Sequence, residues 1–502
     1  MTNLVLNTPK RVLPRCKIAM AVSILLFPAL ITAANARGMV LRKSRFMPDT
    51  INVKRLGAKG DGIQNDSAAF QNAVKSASDQ KKVLLVPKGT YLLSNIIVYP
   101  DCAIAGQGSS TILKLTNGTG SNRQILKLTG ISQNVRLKNI GFDANGRGNS
   151  GKNIFCVKSD MKPTEKINNL VIERCSFTDS KDYGALFLIA PSGHITHVVV
   201  SDCKFYDTGS AAVSIRGING LTFINNTVLN WDVRDKQHPA ISFQSDVCSN
   251  VLFSKNHLKN KDAAYFAVEV AGTCLNHGKF SDNVFDGNGY NASGISGMYS
   301  NCLFINNRHI NGGGNHRSGY ELVGDNDTIT KNVIVNGAVS LGAGTPGLAF
   351  AKGASYIFTD NKVTGNFGAN NFCLTVGGYD TVKSAFIEHN IFDNRLGKGS
   401  APVIQIGERG PSTNVTIENN TLYGSPGNAC IRMKVKTGSP YSENIKIHKN
   451  TLVGENGIQV DDMDTWKKVE ISENDFKGVS KSIFVKTKDF SPDFQITKNK
   501  TP

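Results

Sequence analysis

Helical patterning is almost missing from this chain. Outside one stretch at about residues 66–78, no segment reads as an amphipathic helix, which rules out a helical protein. Charge is sparse at 19% of residues, and the ten cysteines form no C-x-x-C pair, so a zinc site is not expected. Beyond the N-terminus no apolar run is long enough to span a membrane. No basic cluster interleaved with aromatics occurs either, so nucleic acid is not an expected partner. What the chain does have is glycine, 49 residues of it, with many Asn and Thr, the composition of a turn-dense β protein.

The first residues have the pattern of an export signal. Lys10, Arg11, Arg15 and Lys17 precede an apolar run from Ile18 to Ala34, and Ala34-Asn35-Ala36 supplies a small-residue cleavage site. Removing residues 1–36 deletes four of 57 basic residues and none of 39 acidic ones, leaving 53 against 39, a net charge of +14. A secreted or periplasmic location follows, with no stable membrane insertion after cleavage. A basic protein outside the cytoplasm meets anions, and an acidic polysaccharide is the expected partner. Nine cysteines remain. Cys175/Cys203 and Cys248/Cys274 are the pairs to test for disulfides, with burial as small apolar side chains the equal alternative.

From about residue 135 one phrase recurs: apolar, x, apolar, two polar residues, Asn, x, apolar. It reads LTFINNTV at 221–228, VLFSKNHL at 251–258, GKFSDNVF at 278–285, YIFTDNKV at 356–363, VTIENNTL at 415–422 and IKIHKNTL at 445–452. Weaker copies are LVIERCSF at 170–177, VVVSDCKF at 198–205 and DTITKNVI at 327–334. Period-2 alternation makes each phrase a strand, and Asn tolerates a left-handed corner between strands. A second strand type follows each phrase, as in AAVSIRG, AISFQSD, FAVEVAG and PVIQIGE. Strands with no helices between them, at a short fixed period, predict a solenoid. The fold class is all-β, a right-handed parallel β-helix with a short N-terminal capping helix. Propeller blades would need repeats nearer 40 residues. The Asn residues should stack into an internal ladder, and the N-x-S/T matches at Asn225, Asn326, Asn414 and Asn419 read as corner chemistry. The expected divisions are 1–36 signal, 37–50 linker, 51–130 capping segment and first coils, and 131–502 repeats.

An open solenoid end would expose apolar side chains and unpaired backbone. The helix in GAKGDGIQNDSAAFQNAV (57–74) is expected to seal that end, with Asp66 or Asn65 as N-cap and Ala68, Ala69, Phe70, Ala73 and Val74 at helical spacing.

NVKRLGAKGDGIQNDSAAFQNAV, then VLLVPKGTYLLSNIIV (83–98) and CAIAGQGSSTILKL (102–115), resembles the N-terminal segment of the pectate-lyase-like superfamily of right-handed parallel β-helices. The resemblance implies a fold used by lyases, polygalacturonase-like hydrolases, uronan epimerases and phage tailspikes, and leaves the reaction open. Polygalacturonase elements are mostly missing: no G-H-G occurs, and Asp461-Asp462 follows Arg432-Met433-Lys434 in the wrong order. The D-P-H element of alginate epimerases is absent too. No catalytic residue carries over.

Candidate chemistry therefore comes from aligning the second strand type. Ser214, Ser242, Glu269, Glu321, Thr375, Gln405, Arg432 and Gln459 fall in one outward column, with Arg216, Gln244 and Lys434 in the next. Two insertions flank it. WDVRDKQHPA (231–240) holds Trp231, Arg234 and His238, and NRHINGGGNHRSGYE (307–321) holds His309, His316, Arg317, Tyr320 and Glu321. The expected activity is β-elimination on a uronic-acid polymer. Arg216, Arg234 or Arg317 would neutralise the substrate carboxylate, and His238, His316 or Tyr320 would move the proton. Trp231 and Gln244 complete the expected binding set. Two other readings stand beside it: a polygalacturonase-like hydrolase using Glu269 and Glu321, two coils apart, and a non-catalytic glycan-binding envelope protein. Arg216 could also pair with Glu269. No cofactor is expected, because Asp461, Asp462 and Asp464 resemble a calcium loop only in charge. The oligomeric expectation is a monomer or homotrimer.

Overall fold

The computed structural model describes residues 49–501 apart from 235–237, 261–265, 288–293, 311–317, 343–352, 366–371, 379–380, 398–400, 408, 436–439 and 486–490. The expected signal peptide lies outside the described residues, as do His316 and Arg317.

The described chain is a parallel β-solenoid of about 14 turns. A regular turn contributes three strands. A long strand such as Ile218–Ile224 leads through a tight corner to a short strand such as Thr227–Leu229. A looser corner then leads to a face strand such as Ile241–Gln244. Every named strand pair is parallel, and each strand pairs with its equivalent one turn along. Stacked turns advance by the strand spacing, about 4.8 Å.

Alternation sends one residue set inward. Val198, Leu221 and Val251 lie in register along the long strands, and Leu186, Val213, Ile241, Val268 and Ile295 along the face strands, all buried. In the short strands Phe142, Phe177 and Phe205 stack turn on turn, with ring centroids 5.0 and 4.7 Å apart. Burying each such ring contributes roughly 2–3 kcal/mol.

The tight corner is the asparagine ladder. Asn226 accepts the Cys203 N–H and donates its own N–H to the side-chain oxygen of Asn256 at 2.9 Å. The pattern runs on through Asn283, Asn307, Asn332, Asn361, Asn390, Asn420, Asn450 and Asn474 to Asn499. Each side-chain NH2 also donates to a long-strand carbonyl, as Asn256 does to Phe223 at 2.9 Å. One detail differs from the sequence expectation. The ladder Asn is not the left-handed residue; the residue before it is, at φ of +56° for Asn225 and Lys255, +58° for Asp282 and +56° for His389. From Asn226 onward each rung is an amide that donates and accepts at once. The left-handed position tolerates several residue types. Asn225, Asn326, Asn414 and Asn419 all sit at left-handed positions.

Two expectations about cysteine fail. All nine cysteines of the described chain are free. Cys175 and Cys203 occupy the first rungs of the ladder, where the Cys175 N–H donates to the Cys203 sulfur at 3.5 Å. Cys248 lies opposite Leu275 and Cys274 opposite Met298, so that pair is out of register.

The lid is helix α1, Ser67–Asp79. Phe70, Ala73, Val74 and Ala77 are buried in one core with Val53, Leu84 and Val86 of the first turn, whereas Ala68 faces solvent. Gln71 binds the backbone of Ile97 in both directions, at 3.0 and 2.8 Å. Asp66 stands at the N-cap position, but its carboxylate accepts from Lys59 N and Gly60 N at 2.7 and 3.0 Å instead of capping the helix. It thus fastens the glycine-rich approach to the lid. Asn65 accepts from Ser67 N at 3.0 Å.

Candidate functional site

Strand register decides what shares a surface. Along the outward side of the face strands one column runs Lys127, Lys158, Phe187, Ser214, Ser242, Glu269, Ser296, Glu321, Ser340, Thr375, Gln405, Arg432, Gln459. The sequence alignment had located most of its members. It had missed Lys127, Lys158 and Phe187 at the N-terminal end, and Ser296 and Ser340 beside the glutamates.

The column is not one open face. Ser214, Ser242, Thr375 and Gln405 are buried. Between these covered stretches Glu269, Ser296, Glu321 and Ser340 are half-exposed. Glu269 and Glu321 are therefore two turns apart, roughly 10 Å between backbones, with only the small Ser296 between them. A second half-exposed stretch holds Lys127, Lys158 and Phe187.

The remaining expected site residues scatter. Tyr320 points inward in the column Ile295, Tyr320, Val339 and is fully buried. Its hydroxyl donates to the Asn332 side-chain oxygen at 3.1 Å, and burial pushes the phenol well above its ordinary pKa. It cannot touch a glycan. His309 likewise fills the core column between Phe285 and Ile334, its ring 4.7 Å from Phe285 and 4.4 Å from Tyr320. The described ends of this segment thus belong to regular strands, Arg308–Ile310 and Ser318–Asp325.

The described residues of 231–240 are pinned to the solenoid. Trp231 is buried and its backbone carbonyl accepts from the Asn260 side chain at 3.1 Å, so the expected contact with substrate fails for lack of exposure. Arg234 pairs with Asp179 at 2.7 Å and donates its backbone N–H to Gly209. His238 is half-buried above the buried Asp232, whose carboxylate accepts its backbone N–H at 2.8 Å and lies 3.5 Å from Nδ1. Arg216 pairs with Asp246, not with Glu269, because Asp246 follows Gln244 at the end of the adjacent face strand. Gln244 donates to Ser242 at 2.8 Å. Arg432 pairs with Asp461 of the next turn, which also accepts from Gln459. The Arg-x-Lys and Asp-Asp elements are therefore neighbours in space. Asp462 accepts from Asp464 N at 3.2 Å in a 3-10 turn, Met463–Thr465. Among the described residues no group of three or more His, Cys, Asp or Glu side chains could hold a metal ion. No helix among them is long and apolar enough to cross a membrane.

A capped parallel β-helix with a carboxylate-bearing sheet face defines the class. Residues 50–131 match the family model "Rhamnogalacturonase A/epimerase, pectate lyase-like", and residues 128–309 match "Right handed beta helix region". The chain thus carries a pectate-lyase-like N-terminal region that continues into a right-handed β-helix. Among curated proteins it is similar to the pre-neck appendage protein of Bacillus phage phi29, 30% identical over 110 residues, which are 20% of this chain and 12% of that protein. It is also similar to a glucan 1,3-beta-glucosidase of Cochliobolus carbonum, 34% identical over 111 residues, 18% of this chain and 14% of that enzyme. The chain therefore spans only a small part of these relatives. Among solved structures the mannuronan C-5 epimerase AlgE6 A-module of Azotobacter vinelandii aligns over 90% of this chain and 99% of its own, at 15% identity and TM-score 0.36. The N-terminal fragment of phage phi29 gene product 12 aligns over 89% and 70%, at 14% identity and TM-score 0.41.

Proposed function

We propose that this protein is an exported enzyme that hydrolyses an acidic polysaccharide laid along the face strands, with Glu269 and Glu321 as the acid and base. The observation that carries this reading is the register Glu269, Ser296, Glu321 on a half-exposed stretch of the face. Backbones two turns apart let the two carboxyl groups converge to within roughly 6.5–9.5 Å, room for a water between one carboxylate and the sugar. One glutamic acid protonates the departing glycosidic oxygen. The other takes a proton from the water that attacks the anomeric carbon, and configuration inverts. A net charge of +14 after signal removal suits an anionic polymer. The printed name of the family matched by residues 50–131 agrees with glycan chemistry.

β-Elimination is the second reading. His238 favours it, because the buried Asp232 beneath its ring would orient the imidazole as a base. It ranks second because Tyr320 is in the core and Arg216 and Arg234 already face carboxylates.

Uronic-acid polymers incubated with the mature protein separate the readings. Reducing ends without absorbance from unsaturated ends, lost in Glu269→Gln and Glu321→Gln, is the expected result. Both signals rising together, and lost in His238→Asn, would replace hydrolysis with elimination. Binding with neither signal would leave a glycan-binding protein.

A further inference from the structure

The N-terminal stretch of the face carries a cluster outside the glutamate site. Phe187 projects outward from the strand Leu186–Ile189, whose Leu186 and Leu188 fill the core. Its ring lies 4.7 Å from Phe155 and 6.1 Å from Tyr183, centroid to centroid. Tyr183 is 44% exposed, the most open of the three. Lys158, one turn before Phe187 in the same column, holds its Nζ 5.4 Å from the Phe155 ring centre.

The charges in this stretch are unevenly satisfied. Lys127 pairs with Asp160 at 2.6 Å, whereas Lys158 makes no ion pair among the described residues. An aromatic surface beside a cation that forms no ion pair among the described residues suits a pyranose ring bearing a carboxylate. The apolar face of the sugar covers the Phe187 and Tyr183 rings, with Phe155 buried behind Phe187 as its support, and the carboxylate meets the ammonium.

The loop that presents Tyr183 is held before any ligand arrives. The Ser214 hydroxyl donates to the Tyr183 carbonyl, Asn153 N donates to Asp182 at 2.5 Å, and Lys181 Nζ reaches the Ser150 carbonyl at 3.3 Å. Gly184, at φ +137°, lets the chain swing from this loop into the face strand. Little ordering cost remains for binding.

We propose that Tyr183, Phe187 and Lys158, with the buried Phe155 packed behind Phe187, form a binding-only subsite for a uronate residue, three turns or roughly 14 Å from Glu269 along the same column. The proposal rests on the reading that an acidic glycan lies along this face. It adds where the polymer is gripped and which group reads its charge. Ser214 and Ser242 are covered between the two openings, so the subsite engages a long polymer and not a fragment confined to the glutamates.

The test measures dissociation constants in the Glu269→Gln full-length protein, which removes turnover from the measurement. The probes are oligouronates of increasing length and the same oligomers with their carboxylates reduced to alcohols. Lys158→Ala is expected to weaken the long acidic oligomers at least tenfold and leave the reduced ones unchanged, and Lys158→Arg should restore most of the loss. Phe187→Ala should weaken both probes. Unchanged melting curves check that the variants fold; both side chains face outward, so the core is not disturbed. Acidic oligomers bound by Lys158→Ala and Phe187→Ala within twofold of the parent would overturn the subsite. So would acidic and reduced probes binding equally well to the parent. Failure of the hydrolytic reading shows separately, as absent reducing ends with the unmutated protein.

Discussion

Two of the three corners of each turn are built on opposite terms. At the tight corner between long and short strands, one amide repeats from Asn226 to Asn499 and no residue is inserted. At the loose corner between short and face strands, the length changes from turn to turn, and the 231–240 insertion and the Tyr183 loop both lie there. The difference follows from satisfaction of hydrogen bonds. A ladder side chain serves the turns on both sides of it, so a change at one rung leaves groups unpaired in its neighbours. A loop on the loose corner ends on its own turn, so its residues are free to vary. One corner holds the coils together, and the other is where surface chemistry can accumulate.

The sharpest way to break that contrast is at the loose-corner face. Glu321→Gln should lower turnover about a thousandfold, in the range of a lost general acid or base, while circular dichroism and melting stay as they were. Loss of folding instead would make Glu321 a structural residue. The tight corner should respond the other way. Asn283→Ala strips an acceptor from both the N–H and the side-chain NH2 of Asn256 and a donor from the Phe253 carbonyl. A loss of about 3 kcal/mol is expected by denaturant unfolding, with any activity that survives folding unchanged.

A subtler test uses the interior. The inward long-strand column runs Val251, Gly278, Cys302, Asp327, Tyr356, Ala385, so a carboxyl group interrupts an apolar series. Asp327 accepts from Cys302 N at 2.9 Å, and burial pushes its pKa well above the ordinary value. The folded state keeps a proton that the unfolded chain releases above about pH 4. Stability is therefore full at lower pH and falls as pH rises toward the folded pKa, at up to about 1.4 kcal/mol per unit for this group. Asp327→Asn should flatten that part of the stability–pH curve; an unchanged slope would mean the carboxyl is already ionised in the fold. Smallest of all, Arg216→Ala removes a pair in which the arginine is 42% exposed, and should cost under about 1 kcal/mol. A larger loss would place Arg216 among the groups that hold the face together.

Much of this was legible in the chain. The Asn phrase gave the strands, the period and the ladder. The one amphipathic helix gave the lid, and aligning the second strand type located the Glu269 and Glu321 column. Other features were not legible. Tyr320 and His309 resemble site residues because they stand beside Arg317 and Glu321 in sequence, yet period-2 alternation turns them inward and Glu321 outward. Cys175 and Cys203 are a pair to test for a disulfide in an exported chain, yet in the fold they stand as rungs of the ladder. Phe187 and Lys158 passed unnoticed because the clear Asn phrases begin after them, so no alignment set them in the column.

The sequence by itself determined the coil, because a strand's alternation and a corner's amide are local requirements that repeat with the turn. Only the tertiary structure decided which outward residues are open to a ligand and which charges already have partners. Cover and pairing depend on loops and strands that arrive from neighbouring turns, some thirty residues away along the chain. No local pattern records which side chain a neighbouring turn will bring alongside.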